Sequence, residues 1–171
     1  MLTILLGASI ALIIAFLPLL AEARDAAPAS FDQRLLEAHN RERMRLNITP
    51  LQWSEQLAGQ ARDWADTLAR RGGFEHSRDR SGAGENLWMG TASAYAPEDM
   101  IGAFVSEGRQ FHSGRFPAIS RTGNWVDVGH YSQLIWPATR EVGCAIAEAH
   151  GNEVLVCRYW PAGNVWGQQV P

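Results

Sequence analysis

The sequence predicts an α+β fold in a single domain. Three stretches, beginning near residues 31, 54 and 97, repeat apolar residues at helical spacing. A later region carries short apolar runs typical of strands, and Gly151-Asn152 separates two of them as in a β-hairpin. Because the chain shows no internal repeat and no sign of a second domain, we expect one hydrophobic core.

The first 23 residues are predicted to be a signal peptide. Leu2–Leu20 is almost wholly apolar, and Ala21-Glu22-Ala23 matches the pattern that signal peptidase cleaves. The same run is long enough to span a bilayer, so an uncleaved anchor is the alternative. We expect cleavage between Ala23 and Arg24, a short leader over residues 24–30, and a secreted or periplasmic protein that contacts a membrane only if the segment is retained.

The charge pattern argues against a nucleic-acid partner. All 15 basic residues are arginines, they are scattered along the chain, and the formal net charge is −3. Electrostatic binding of nucleic acid needs basic residues clustered on one face. We expect a monomer that binds no nucleic acid.

Capping residues and periodicity define the three predicted helices. Ser30-Phe31-Asp32-Gln33 resembles a capping box and begins a helix that runs to about Leu46. Ser54 begins a second helix, which ends at Gly72-Gly73, and Pro97 stands in the first turn of a third. The first helix carries His39-Asn40, which we interpret as a hydrogen-bonded structural pair.

The strand region follows a long loop over residues 112–128. Gly129–Trp136 alternates polar and apolar side chains, which predicts a strand containing His130. Two further apolar runs carry Cys144 and Cys157. In an exported chain a single cysteine pair predicts one disulfide, here joining neighbouring strands. The segment 159–167 is expected to pack its aromatic side chains over the sheet without forming another strand.

Besides His130, three ionisable residues are candidates for a functional site: Glu107, His76 and Glu85. Glu107 shares an apolar helical face with Phe104 and Phe111, so it needs a buried partner. A salt bridge to an arginine is the simplest interpretation, and a metal or a donor network is the alternative. His76 and Glu85 flank a polar, glycine-rich loop, which is weak evidence for a site because such residues are usually solvated.

Four segments together resemble the motifs of the CAP superfamily of cysteine-rich secretory proteins, antigen 5 and pathogenesis-related 1 proteins. Gly129–Trp136 with Thr139 is similar to the first long signature, and Leu155–Asn164 to the second. His39-Asn40 with Arg43, and Gly84-Glu85-Asn86-Leu87, resemble the two shorter motifs. Long signatures in the right order are far more specific than a single short motif.

The resemblance implies a CAP domain over residues 31–169, folded as a three-layer α-β-α sandwich with a small, mainly antiparallel sheet. It implies a cleft in which His76, His130, Glu85 and Glu107 converge. Phe104 stands where the family usually has Trp, which weakens the placement of Glu107 slightly. With one cysteine pair the chain resembles a bacterial secreted member, without a cysteine-rich tail domain or ion-channel modulation.

The implied tetrad is compatible with several activities. His76, His130, Glu85 and Glu107 form a reasonable ligand set for zinc or another divalent cation. If the protein is a hydrolase or peptidase, Glu85 and Glu107 are its candidate catalytic residues. They would act either beside a bound metal or as the carboxylate of a Glu–His general base. Ser132 is the nearest nucleophile candidate, but no glycine-flanked elbow frames it. A binding module for a sterol, fatty acid or other apolar ligand is the favoured hypothesis, and a surface interaction protein with a vestigial tetrad is the third.

Overall fold

Four α-helices and six strands make up the part of the chain that a computed structural model describes, residues 29–171. The helices are α1 Phe31–Arg45, α2 Glu55–Arg71, α3 Pro97–Ser106 and α4 Gly129–Leu134. The strands are β1 Gln52–Trp53, β2 Gly84–Thr91, β3 Gly114–Arg115, β4 Glu141–Ala149, β5 Asn152–Trp160 and β6 Gln169–Val170. The predicted signal peptide and residues 24–28 of the leader lie outside the described residues.

The main sheet has the strand order β1-β4-β5-β2. The pairs β4–β5 and β2–β5 are antiparallel, whereas the two-residue β1 runs parallel to β4. A second, small sheet pairs β3 with β6. The main sheet is therefore mainly antiparallel, as the family resemblance implied.

Helices cover both faces of the main sheet and complete a three-layer α-β-α arrangement. On one face the small residues Ala61 and Ala65 of α2 pack with Val154 and Val156 of β5. On the other face lie α1, α3 and α4. Successive side chains of a strand point to opposite faces. Leu155, which stands between Val154 and Val156, therefore packs in a separate core cluster between the sheet and these three helices.

The predicted helix boundaries agree closely with the structure. Ser30 caps α1 by accepting a hydrogen bond from the Gln33 amide at 3.2 Å. Gly72 ends α2 with φ of 65°, a left-handed conformation that glycine adopts without steric cost. Pro97 occupies the first turn of α3. Within residues 29–171 no helix has the length and apolar character needed to cross a membrane.

The hairpin and its disulfide form as predicted. Cys144 and Cys157 face each other in the β4–β5 register, and their sulfurs are bonded in the buried core. The turn residues are His150 and Gly151, both with positive φ, one residue earlier than the predicted Gly151-Asn152. Two such residues are typical of the tight turns that join antiparallel strands.

The predicted strand over Gly129–Trp136 is wrong. Residues 129–134 form the short helix α4, directly after a 3-10 turn at Trp125–Val128. The polar–apolar alternation was misleading because Ser132 and Gln133 are as buried as their apolar neighbours. Conversely β2, which no periodicity predicted, is an eight-residue strand at the sheet edge.

Two expectations about packing also need correction. Helix α3 ends at Ser106, so Glu107 lies in the following 3-10 turn and Phe111 lies beyond the helix. In the terminal segment, Trp166 contacts Phe116 edge-on with ring centres 5.8 Å apart, yet it is 70% exposed. It therefore does not cover the sheet as expected. β6 follows this segment and pairs with β3.

Candidate functional site

A cleft of about 850 Å³ opens where the loop before β2, the start of α4 and the terminal segment meet. His76, Glu85 and His130 line it together with Asn86. Glu107, the fourth residue that the resemblance implied, is not among the lining residues and lies behind His130. The structure therefore brings both histidines and one of the two glutamates to a common cavity.

His76 is held by a buried carboxylate. Its Nδ1 lies 2.7 Å from Glu85 Oε1, which also accepts a hydrogen bond from the Ser77 amide at 3.0 Å. The Glu85 side chain is fully buried, whereas that of His76 is half exposed to the cleft. Glu85 therefore orients the ring while the ring itself stays accessible.

Arg158 completes the surroundings of Glu85. Its Nε lies 2.9 Å from Glu85 Oε2, although neither atom forms an aligned hydrogen bond, so the contact is an ion pair. Burial lowers the pKa of the Arg158 guanidinium, partly offset by the carboxylate beside it. A buried carboxylate needs such a counter-charge, because a lone charge in the interior is costly.

His130 is held in the same way by Glu107. Its Nδ1 lies 2.6 Å from Glu107 Oε1, while Oε2 accepts hydrogen bonds from the amides of His130 and Tyr131 at 3.0 Å each. Phe104 of α3 stacks against the imidazole, with ring centres 5.0 Å apart. The buried partner that Glu107 required is thus a histidine and two backbone amides. Within residues 29–171 it forms no ion pair with an arginine.

Both carboxylates occupy the Nδ1 side of their histidines, which leaves Nε2 of each ring for a ligand. A second hydrogen bond of this kind fixes the tautomer and orientation of metal-binding histidines in many proteins. Among the described residues no three of the four tetrad side chains place ligand atoms within 4.8 Å of one another. The arrangement offers two imidazole donors with carboxylates behind them, and ligation by all four residues stays a prediction.

In the described part of the chain, the ligand-type side chains that do lie within 4.8 Å of one another are those of His39, Cys144 and Cys157. The two cysteines are joined in the disulfide. His39 Nδ1 lies 2.8 Å from the Leu35 carbonyl and Nε2 lies 2.8 Å from the Tyr159 hydroxyl. All its hydrogen-bonding atoms are engaged, so His39 is structural, in agreement with the sequence interpretation.

A buried hydrogen-bond chain connects His39 to the cleft. The Tyr159 hydroxyl accepts from Asn86 Nδ2 at 3.2 Å, and Asn86 Nδ2 also donates to the His130 carbonyl at 3.0 Å. Asn86 belongs to the motif Gly-Glu-Asn, but sequence reasoning gave it no role. Together with Arg158, for which the sequence offered no signal, it is a supporting residue that only the structure identifies.

Ser132 is unsuited to act as a nucleophile. Its side chain is fully buried, and Oγ donates to Asn164 Oδ1 at 2.6 Å and lies 3.2 Å from the Gly129 carbonyl oxygen. Asn164 Nδ2 also donates to the Gly129 carbonyl. These bonds fasten the terminal segment to α4 and so build one wall of the cleft.

The lining of the cleft combines two kinds of side chain. Arg78 and Arg80 belong to the loop before β2. Aromatic and apolar side chains that remain partly exposed also line it: Trp125, Val126 and Trp166. Exposed apolar residues gathered at a concave site are typical of a surface that covers an apolar ligand.

Comparison with known proteins identifies the class to which this fold and site belong. Residues 36–159 match the model of the cysteine-rich secretory protein family, also called CAP. Pathogenesis-related protein 1C of Nicotiana tabacum is 31% identical over 138 residues, covering 80% of this chain and 78% of the tobacco protein. A probable pathogenesis-related protein of Candida albicans is 30% identical over 150 residues, 85% of this chain but 42% of its own length.

Solved structures agree with that assignment. The structure described as NaASP2 with Zn²⁺ has a TM-score of 0.69 and 24% identity, covering 82% of this chain and 85% of its own. BmVAL-1 has a TM-score of 0.68 and 23% identity, with 86% and 84% covered. At this identity the likeness shows the fold. The chain belongs to the cysteine-rich secretory protein family.

Proposed function

We propose that this chain is an exported binding protein whose cleft takes a partly apolar ligand and whose two cleft histidines hold a divalent metal ion. One observation carries the proposal. His76 and His130, each oriented by a carboxylate, line the same cavity of about 850 Å³ as an exposed aromatic wall. Metal donors and apolar contact area are thereby available to one ligand.

Zinc fits the donor set best. Neutral imidazole nitrogens are preferred zinc ligands, and the Nδ1–carboxylate contacts leave Nε2 of His76 and of His130 for the metal. Two protein donors leave coordination positions for water or for the ligand. NaASP2, a structure of the same fold, is described with Zn²⁺. When bound, zinc would attract an oxygen or nitrogen group of the ligand.

The cleft lining points to a lipid with an acidic head group among apolar ligands. The aromatic and apolar side chains suit a hydrocarbon, and Arg78 and Arg80 suit an anion. A sterol would use only the apolar part of the lining. A fatty acid would use both parts, and we favour it over a sterol for that reason.

Zinc titration of the purified domain tests the metal site. We expect binding in the wild type and its loss in the double variant His76→Ala/His130→Ala. His150→Asn is the matched control, because His150 is exposed at the hairpin turn, where its positive φ suits asparagine. Binding must weaken as the pH falls, because a protonated imidazole cannot bind a metal ion. An affinity that does not change as the pH is lowered from neutral, or that survives in the double variant, excludes histidine ligation.

Fatty-acid binding is tested separately with oleate and cholesterol as probes. We expect oleate to bind more tightly than cholesterol, and the variant Arg78→Gln/Arg80→Gln to lose that preference. Arg62→Gln on the exposed face of α2 is the control. If neither probe binds and zinc is also absent, the surface interaction protein of the third hypothesis takes precedence.

A metal-assisted hydrolase is the second candidate, because each imidazole–carboxylate pair has the geometry of a general base. In such a site Glu107 would hold the Nδ1 proton of His130 and stabilise the charged ring. Glu107→Gln should then abolish turnover of an ester or peptide substrate, while the exposed Glu55→Gln should not. Turnover that persists in Glu107→Gln removes this candidate.

A further inference from the structure

Asn86 presents to the cleft a hydrogen-bond acceptor that no other described residue uses. Its side chain lines the cavity and is 1% exposed. Within residues 29–171 no group donates to Oδ1, yet this oxygen is not sealed from solvent. Buried polar groups nearly always have a partner. A molecule in the cleft is the source from which Oδ1 can receive a hydrogen bond.

A chain of buried hydrogen bonds fixes the orientation of the Asn86 amide. His39 Nδ1 donates to the Leu35 carbonyl, because a carbonyl oxygen can only accept. Nε2 of the neutral ring then accepts from the Tyr159 hydroxyl, whose oxygen in turn accepts from Asn86 Nδ2. The second hydrogen of Nδ2 goes to the His130 carbonyl. Turning the amide over would set two acceptors, Oδ1 and this carbonyl, against each other, so Oδ1 stays on the cleft side.

The other two amide side chains that line the cleft in the described chain are engaged at both ends. Gln133 Oε1 accepts from a backbone amide of the terminal segment at 2.9 Å, and Nε2 lies 3.5 Å from Thr139 Oγ1. Asn164 Oδ1 accepts from Ser132 Oγ, and its Nδ2 donates to a backbone carbonyl of α4. Of these three amides, Asn86 is therefore the one whose oxygen is open to a ligand.

The Asn86 amide also lies between the supports of the two cleft histidines. It follows Glu85, the partner of His76, in β2, and its Nδ2 is bonded to the His130 carbonyl. A ligand head group held by the histidines thus places its neighbouring atoms near Oδ1. An ionised carboxylate can only accept hydrogen bonds, so it cannot serve this oxygen itself. A hydroxyl or an amide N–H next to the carboxylate can.

We propose that Asn86 makes the cleft selective for acyl chains that carry a hydrogen-bond donor next to the acidic head group. The inference rests on the proposed lipid-binding function and narrows its ligand class. A 2-hydroxy fatty acid and an N-acyl amino acid both have such a donor, an O–H in the first and an N–H in the second. A plain fatty acid would displace water from Oδ1 without replacing its hydrogen bond, which weakens binding.

Two matched pairs of ligands test the proposal on the metal-free wild-type protein. 2-hydroxypalmitate is compared with 2-methoxypalmitate, and N-palmitoylglycine with N-palmitoylsarcosine, because methylation removes the donor in each pair. EDTA is present throughout, so that chelation of zinc by the hydroxyl cannot cause a preference. We expect at least one donor-bearing ligand to bind about fivefold more tightly than its methylated partner, the usual contribution of one hydrogen bond.

The preferred 2-hydroxypalmitate or N-palmitoylglycine should also bind more tightly than palmitate, which excludes the size of the methyl group as the cause. A hydrogen bond accepted by Oδ1 polarises the amide. The side-chain nitrogen-15 resonance of Asn86 should therefore move further with the donor-bearing ligand than with its methylated partner. This readout needs no variant, so it links the preference to Asn86 in the wild-type protein.

Asn86→Ala should bring the affinity ratio within the preferred pair to about one, and the exposed Asn152→Ala, as the matched control, should leave it unchanged. The ratio is internal to each variant, so a general loss of affinity does not affect it. A preference that persists in Asn86→Ala, or equal affinity within both pairs, overturns the inference alone. Failure of all the acyl ligands to bind overturns the proposed function on which it rests.

Discussion

His39 should make this protein less stable in mild acid than at neutral pH. The ring is fully buried, and burial lowers its pKa from the ordinary 6.5 to about 4, with a smaller contribution from nearby Arg43. The hydrogen bond to the Leu35 carbonyl acts in the opposite direction and is outweighed. The neutral ring satisfies both nitrogens, one on Leu35 and one on the Tyr159 hydroxyl, so a proton has no favourable place.

The size and the pH window of the effect follow from this pKa difference. Below about pH 6.5 the unfolded chain takes up a proton at His39 that the folded chain does not bind until about pH 4. The free energy of unfolding is therefore highest above about pH 6.5, falls between about pH 6.5 and pH 4, and levels off at lower pH. A difference of one pKa unit corresponds to about 1.4 kcal/mol, so the free energy of unfolding should drop by about 3 kcal/mol.

Urea unfolding at a series of pH values across that window measures the effect. His39→Gln lacks the titrating ring. Between neutral pH and pH 4 its free energy of unfolding should fall by about 3 kcal/mol less than that of the wild type. The exposed His150→Asn should retain the full wild-type loss. Glu42, whose pKa is lowered by its hydrogen bond to Arg45, does not affect the difference between the two proteins, because both of them carry it. Equal losses in His39→Gln and the wild type would refute the reasoning.

Two further predictions concern groups that hold the core together. Arg43 donates from its buried guanidinium to four carbonyls, among them that of Leu134 at 2.8 Å, so Arg43→Met should cost about 3 kcal/mol or more in urea unfolding. The exposed Arg41→Met should change stability little, and similar losses in both variants would contradict the buried role. Reducing the Cys144–Cys157 disulfide, with its sequence separation of 13, should lower the free energy of unfolding by about 3 kcal/mol. An unchanged unfolding midpoint after verified reduction would show that the bond adds nothing to stability.

The elements that the sequence predicted correctly are those with strong local signals. Helices α1, α2 and α3 each span ten residues or more and carry capping or terminating residues that act within one turn. The β4–β5 hairpin has a tight turn and a cysteine on each strand. Such signals depend on neighbouring residues alone, and the chain displays them without its tertiary context.

Helix α4 shows where local signals fail. Its six residues are too few to establish a helical period, and Ser132 and Gln133 look like surface residues although both are buried. Their partners, Asn164 and Gly163, lie about thirty residues along the chain. The same applies to β2, whose pairing with β5 no pattern in its own residues indicated.

By itself the sequence determined the family, the core helices, the disulfide and the need of Glu107 for a buried partner. The tertiary structure alone decided that this partner is His130, because the end of α3 meets the start of α4 only in the folded chain. It also decided that Arg158 balances the charge of Glu85. The physical reason is the same in each case. A local pattern fixes backbone conformation, whereas the partner of a buried charge is fixed by which distant segments pack together.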